Sequence, residues 1–312
     1  MTLPENLTDN FQQLVEKHGL VNLKKAAEDL SLSYREAERN GGALIKGEIS
    51  AAAYAISRMP ATYGAVYTAL KYINKVVNLE NINTLIDVGA GTGAASLAVR
   101  EFADILGNTL IERDLDMLNL GKSFLEGNWI HSDAKGLEGE KADMVISSYM
   151  LNELSEDQRL PQVEKLWQSA EKLMVIVENG TPDGYKIIKE IRDWAKATGI
   201  SLAAPCPNIA SCPIPEGDWC HFTARISRSK IHKLLKGGDA PYEDEKFTYI
   251  TLCRESIKPV AARVLRHPKI ESGKITLTLC TGEGVTTVIK TKKDKAAFKT
   301  ARKSSAGDGF QL

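Results

Sequence analysis

An α/β fold built around a parallel sheet is predicted by three features of this sequence. Short apolar runs alternate with helical stretches from about residue 81 to 200, the first of these runs closes on Asp87 and a glycine-rich turn, and no internal repeat suggests another architecture. Strands separated by helices require right-handed crossovers, and crossovers of that length join parallel neighbours.

Residues 1–80 read as a helical region. Leu14, Leu20, Leu23, Ala26, Ala27 and Leu30 recur near helical spacing, and 51–72 is rich in Ala, Tyr and Leu. Pro60 interrupts that stretch and is expected to separate two helices. Residues 81–256 form the predicted Rossmann-like domain, with strands at 84–88, 109–112, 129–130, 142–148 and 173–178 and helices at 94–103, 155–170 and 185–197. Four prolines and three cysteines interrupt the alternation over 200–224, which reads as a cysteine-rich metal-binding insertion. A helix at 229–235 and a strand at 246–253 follow. Residues 257–312 are expected to be a small β-rich basic appendage, with runs at 261–265, 274–279 and 286–290 and a polar, partly disordered end from 292.

With 312 residues the chain is too long for one small core. Lys plus Arg and Asp plus Glu are 40 each, yet from Gly273 to Leu312 eight Lys/Arg stand against three acidic residues. A basic end on a neutral body suggests an anionic partner, although a solvated tail gives the same composition. The first ten residues carry Glu5 and Asp9 and no apolar core of a signal segment, and no 18-residue apolar run is present. A cytoplasmic, monomeric protein with no membrane partner is therefore expected. The five cysteines all lie in the last third, which in a reducing compartment favours metal binding over disulfides.

The turn Asp87-Val88-Gly89-Ala90-Gly91-Thr92-Gly93 lets a ligand approach the backbone closely. A lone GxGxG fits nicotinamide, flavin and S-adenosylmethionine alike, and a plain connecting turn as well. Its spacing departs from GxGxxG, whose helix N-terminus receives a pyrophosphate, and S-adenosylmethionine has no phosphate. Asp87 is placed to approach the methionine amino group, directly or through water. Glu112 ends the second strand, where a carboxylate accepts ribose hydroxyls. Asp133 follows the third strand, where adenine is read, though a helix N-cap is the plainer role. The predicted cofactor residues are thus Asp87, Gly89, Ala90, Gly91, Gly93, Glu112 and Asp133, in a Rossmann-like S-adenosylmethionine-dependent methyltransferase fold.

After the fourth strand stands Ser147-Ser148-Tyr149-Met150-Leu151-Asn152-Glu153-Leu154, without the Asn-Pro-Pro-aromatic sequence of amino-methylating enzymes. Tyr149 is a candidate to stack on a base and Asn152 or Glu153 to hydrogen-bond it; helix capping explains the same residues. Cys206, Cys212, Cys220 and Cys253 are spaced C-x5-C-x7-C-x32-C. Four thiolates suit tetrahedral Zn or a 4Fe–4S cluster, and the absence of C-x-x-C pairs favours the cluster. Cys280 reads as a core strand residue.

These residues, with 58–63 (Arg-Met-Pro-Ala-Thr-Tyr), 178–184 (Glu-Asn-Gly-Thr-Pro-Asp-Gly), 218–222 (Asp-Trp-Cys-His-Phe), 243–249 and the tail segments 301–303 and 307–308, resemble the methyltransferase-like proteins that act on the mitochondrial small ribosomal subunit and their bacterial and archaeal relatives. Asn179 departs from the family pattern, where proline is expected. The resemblance implies a candidate ribosomal RNA methyltransferase or an assembly factor carrying a 4Fe–4S cluster on Cys206, Cys212, Cys220 and Cys253. Its partner would be small-subunit ribosomal RNA in the assembling subunit. Arg225, Arg228, Lys230, Lys233, Lys292, Lys293, Arg302 and Lys303 are then the expected RNA contacts. Two functions remain open: methyl transfer to RNA, or non-catalytic docking on RNA by the same fold.

Overall fold

The computed structural model describes residues 1–40, 45–207 and 211–311, and of 33–40 only the backbone. Residues 208–210 of the predicted insertion lie outside the described residues. Three helices come first: α1 (Glu5–His18), α2 (Leu20–Asn40) and α3 (Glu48–Ile73). Pro60 does not divide α3 as expected. A proline inside a helix costs about 3 kcal/mol, but this helix is buried on nearly every side, with Ala51, Ala52, Ala53, Ala55, Ile56, Val66 and Leu70 all inaccessible. Packing of that surface outweighs one lost backbone bond.

The alternating region follows as β1 (Thr84–Val88), α4 (Ala94–Val99), β2 (Gly107–Glu112), α5 (Leu115–Phe124), β3 (Asn128–His131), β4 (Ala142–Ser148), α6 (Glu156–Ser169), β5 (Ala170–Asn179) and α7 (Pro182–Ala197). The predicted break at 200–224 contains the short strand β6 (Ser201–Ala204) and the start of β7 (Phe222–Ser227), followed by α8 (Lys230–Lys236) and the long strand β8 (Tyr242–Cys253). The strands form one eight-stranded sheet in the order β3-β2-β1-β4-β5-β8-β6, with β7 also paired to β8. β1 to β5 are mutually parallel, while β8 runs antiparallel to β5, β6 and β7. One antiparallel strand between the fifth and sixth members of a doubly wound sheet defines the Rossmann-like methyltransferase fold.

Two buried layers cover the sheet. On one face the N-terminal helices, α3 and α4 share a core with Leu85, Met144, Val175 and Tyr249. On the other, α6 and α7 pack against Ile86, Val145, Met174 and Ile250. The alternation of neighbouring residues between the two cores is the period-2 pleat of a strand buried on both sides.

The C-terminal region is a separate five-stranded antiparallel sheet of β9 (Ala262–Val264), β10 (Lys269–Glu271), β11 (Lys274–Thr281), β12 (Val285–Thr291) and β13 (Gly309–Phe310). The tail expected to be partly disordered instead forms α9 (Lys295–Lys303). Its N-cap Asp294 accepts from Ala297 N, and Ala301 and Phe298 close it over Leu277 and Leu279. Of α9 only Phe298 and Ala301 reach the core, and the cations around them make a composition-based reading take the segment for a solvated tail.

Where backbone approaches backbone there is no room for a side chain. A Cβ on Gly184, at the start of α7, would lie 2.0 Å from Asn179 O. Gly184→Ala is expected to destabilise the chain by about 1–3 kcal/mol, read as a lower urea midpoint at unchanged slope.

Candidate functional site

The glycine turn joins β1 to α4 with Gly89, Gly91 and Gly93 all at positive φ (73, 56 and 86°). Only glycine adopts three such conformations in five residues without strain. Gly89 N and Ala90 N donate to Ile111 O, which seats the turn on the end of β2. Glu112 closes it from the same strand: Oε2 accepts from Gly91 N at 2.7 Å and Oε1 from Asp114 N at 2.8 Å. Burial raises the Glu112 pKa, and these two bonds pull it back.

Asp87 is completely buried and turned toward α4. Its Oδ2 accepts from Ser96 N at 3.1 Å and Ser96 Oγ at 2.8 Å, while Oδ1 has no partner. Burial pushes its pKa up to about 7 against the lowering effect of the Ser96 bonds. Asp133 is exposed and accepts from Lys135 N at 2.8 Å, the capping role that was its plainer reading.

At the end of β4, Tyr149 has φ 57°, in the left-handed region, where a bulky residue costs about 1–3 kcal/mol. Glu178, at the end of β5, holds this turn. Its Oε1 accepts from Leu151 N and its Oε2 from Asn152 Nδ2, each at 2.9 Å, and burial pushes its pKa up to about 7. The Tyr149 hydroxyl donates to Glu245 Oε1 at 3.2 Å, and Arg58 from α3 stands 3.5 Å from the same oxygen. Met150 covers the glycine turn, since a Cβ on Gly89 would meet its side chain at 2.8 Å. Tyr149 and Asn152 thus lie beside the turn, but each is held by a carboxylate. Glu178, Glu245 and Arg58 escape selection by sequence because charged residues in or beside apolar runs show no partner until the strands are paired.

The cysteines form a second site, differently from the spacing argument. Cys206, Cys212, Cys220 and Cys280 line one cavity of about 40 Å3, together with Tyr249, Arg192 and Arg263. Burial raises the Cys220 pKa well above that of an ordinary thiol, and Cys206, Cys212 and Cys280 reinforce the shift. Burial pushes Cys280 up to about 12, with Cys206 and Cys212 adding to it. Cys253 does not belong to this group. It ends β8 opposite Leu173 and Ser201, and its raised pKa comes from burial, with no thiol among the causes. From Tyr249, which lines the cavity, it lies four residues along the strand, about 13 Å. Cys280, expected to be a core strand residue, lines this cavity with Cys206, Cys212 and Cys220, whereas Cys253, expected among the ligands, does not. The Tyr185 hydroxyl is 3.2 Å from Cys212 Sγ. Among the described residues no three His, Cys, Asp or Glu side chains converge on a point that would hold a single metal ion.

The expected RNA contacts divide in two. Arg225 makes a bidentate pair with Asp244 at 2.7 Å and lies over the Tyr242 ring, and Arg228 donates to Gly237 O. Lys230 is exposed and Lys233 half-buried on α8. Lys292, Lys293, Arg302 and Lys303 are all exposed on α9 and the turn before it.

Fold and turn together define a protein of the Rossmann-like methyltransferase class, with a four-thiol cavity added at one edge of the sheet. A family model described as mitochondrial small ribosomal subunit Rsm22 matches residues 48–311, and the chain belongs to that family. The human ribosome assembly protein METTL17, mitochondrial, is 26% identical over 293 residues, a match covering 82% of this chain and 61% of the human protein. The chain thus spans less than two thirds of that relative's length. Among solved structures, magnesium protoporphyrin IX methyltransferase (ChlM) from Synechocystis PCC 6803 with bound S-adenosylmethionine is similar at TM-score 0.40 and 12% identity, over 73% of this chain and 97% of that one. The plantazolicin methyltransferase BpumL in complex with S-adenosylhomocysteine gives TM-score 0.43 and 11% identity, over 80% and 99%. No described helix is long and apolar enough to cross a membrane.

The buried carboxyls make stability depend on pH. Glu178 binds its proton more tightly folded than unfolded, so between its ordinary value near 4.5 and about 7 the folded state holds the extra proton. Stability then falls as pH rises through that window and levels off above it. In Glu178→Gln the fall should shrink by about 2–3 kcal/mol, measured by urea unfolding from pH 4.5 to 8.

Proposed function

We propose that this chain binds S-adenosylmethionine in the glycine turn, holds an iron–sulfur cluster in the four-thiol cavity, and acts on ribosomal RNA of the assembling small subunit. The observation that carries this reading is the family match over 48–311, which spans the turn, the Tyr149 edge and all four cavity cysteines. The description of the human relative as a ribosome assembly protein supports the same partner.

The turn suits this ligand chemically. It offers close backbone approach without the helix geometry that a pyrophosphate requires. The unused Asp87 Oδ1 is an acceptor available to an ammonium group, directly or through water, if Asp87 is ionised on binding. Glu112 already accepts two N–H bonds and can exchange the one from Gly91 for a ribose hydroxyl. Asp133, which follows β3, is the adenine-side residue in this reading. Bound there, S-adenosylmethionine supplies an electrophilic methyl group. The residues of the chain contribute positioning of the acceptor, because an in-line displacement needs little else. Tyr149 and Asn152 are the acceptor-side residues in this reading.

The second reading, docking without methyl transfer, is favoured by the bonds that already occupy these two side chains on Glu245 and Glu178. Purified chain with small-subunit RNA and labelled S-adenosylmethionine separates them: label in the RNA establishes transfer, and tight RNA binding without label establishes docking.

In this reading a cluster is preferred to Zn, because four thiols line the cavity, the ligand number of a 4Fe–4S cluster, and among the described residues no three converge on a point that would hold a single ion. Joined by a cluster, the loop carrying Cys206, Cys212 and Cys220 would be fixed to β11. Cys206, Cys212, Cys220 and Cys280 would be its ligands. The exposed cations of α9 supply phosphate contacts, whereas Arg225 is occupied by Asp244. Free thiols fit a reducing compartment, the cytoplasm in our reading, and a monomer is sufficient for every site proposed.

Gly91→Leu should abolish S-adenosylmethionine binding in calorimetry, and Glu112→Ala should weaken it by about 1–3 kcal/mol. After anaerobic, iron-replete expression, Cys280→Ser should lose iron and sulfide while Cys253→Ser keeps both; the reverse would restore Cys253 to the set. Replacing Lys299, Arg302 and Lys303 by Ala should lower the salt slope of RNA binding by about 2–3, leaving S-adenosylmethionine affinity unchanged.

A further inference from the structure

Arg263 heads the fully buried side chains by volume, at 1% exposure. Its Nε donates to Pro205 O and its Nη1 to Gly307 O, both at 2.8 Å, while Nη2 has no partner. Among the described residues no carboxylate accepts from it; the Tyr72 ring lies 5.9 Å away, and Arg192 lines the same cavity. A guanidinium cannot shed its proton in a protein. Buried with two carbonyls and an Nη2 that has no partner, it is several kcal/mol short of compensation. An anion within reach of Nη2 would supply the difference.

The place for one is beside it. Arg263 lines the four-thiol cavity, and on the sheet it is the direct cross-strand partner of Cys280. Side chains so paired have Cβ atoms about 4.5–5.5 Å apart. Pro205, whose carbonyl it holds, directly precedes Cys206. One side chain therefore touches the loop that carries three thiols and faces the strand that carries the fourth.

We propose that Arg263 is the positioning residue and counter-charge of the cluster: its Nη2–H donates to the anionic four-thiolate group and raises that group's reduction potential. The inference rests on the cluster reading above. A positive charge and an N–H donor at a cluster sulfur stabilise the more negative, reduced state, and so favour uptake of the electron. With the anion present, an Nη2–H of the guanidinium is satisfied and the buried charge is paired.

The test uses the full chain, reconstituted anaerobically with ferrous iron and sulfide, with iron and sulfide assays and a dithionite titration followed by EPR. Wild-type chain that takes up neither iron nor sulfide removes the cluster itself, and the inference with it. Given a loaded wild type, three folded variants decide. Arg263→Lys, which keeps the charge, should load fully and titrate near wild type. Arg263→Gln and Arg263→Met, which lose it, should titrate at a more negative potential at equal iron content. Neutral variants that fail to load while Arg263→Lys loads support the proposal equally, since charge separates them. A neutral variant titrating at the wild-type potential overturns the proposal, as does an Arg263→Lys chain that loses the cluster along with the neutral pair.

Discussion

One twelve-residue antiparallel strand, β8, serves three partners: β5 along one edge, and β7 and β6 in succession along the other. β7 takes Tyr242 to Phe247 and β6 takes Thr251 to Cys253, so residues 248–250 fall between the two pairings. Three residues of strand leave an opening of about 10 Å. The connection from β6 to β7 has to leave the sheet at this opening and return to it, and it is the cysteine loop that does so. Thr248 and Tyr249 become one wall of the cavity for this reason. The same strand brings Glu245 to the Tyr149 hydroxyl, so the acceptor edge and the thiol cavity share a scaffold.

Burial of charge recurs at each site. Asp87 orders the first turn of α4 through Ser96, Glu178 holds the turn after β4, and Arg263 ties the cysteine loop to the C-terminal sheet. In each case a polar group is taken out of water to fix a piece of irregular backbone, which regular ladders cannot do. The carboxyls meet the desolvation cost by holding their protons to higher pH, with values near 7. The arginine has no such exit, and this is why its surroundings carry information about the charge of a ligand. The strained Tyr149 persists because Glu178 and Glu245 fix the turn on either side of it.

The C-terminal sheet has its own small core of Ala262, Val264, Ile275, Leu277, Leu279, Ala301 and Phe310. Its links to the larger domain include the Arg263 bond to Pro205 O, the Tyr72 hydroxyl on Ala306 O, and the ion pair of Lys75 with Asp308 at 3.1 Å. The cations of α9 are carried on this unit. Their orientation relative to the glycine turn therefore depends on the contacts between this unit and the larger domain. The C-terminal sheet is thus tied to the larger domain by named polar contacts.

Much of the larger domain is legible in the sequence because its signals are local. β1 and β4 begin and end where the apolar runs do, and the glycines mark a turn whose three positive φ values favour glycine. Helix α3 runs through Pro60 against the local signal, since the burial that outweighs the proline comes from other parts of the chain. α9 escapes a local reading because its apolar face is narrow and is completed by β11 and β12. The cysteine set shows the boundary most clearly. Three thiols within fifteen residues are a statement of sequence, and the sequence alone determined that Cys206, Cys212 and Cys220 would share a loop. Which cysteine joins them was settled by tertiary structure: Cys253 is nearer along the chain, but β8 carries it away, and the antiparallel pairing of β11 with β9 sets Cys280 beside Arg263 at the cavity. Sequence separation measures contour length, whereas strand pairing fixes distance in space.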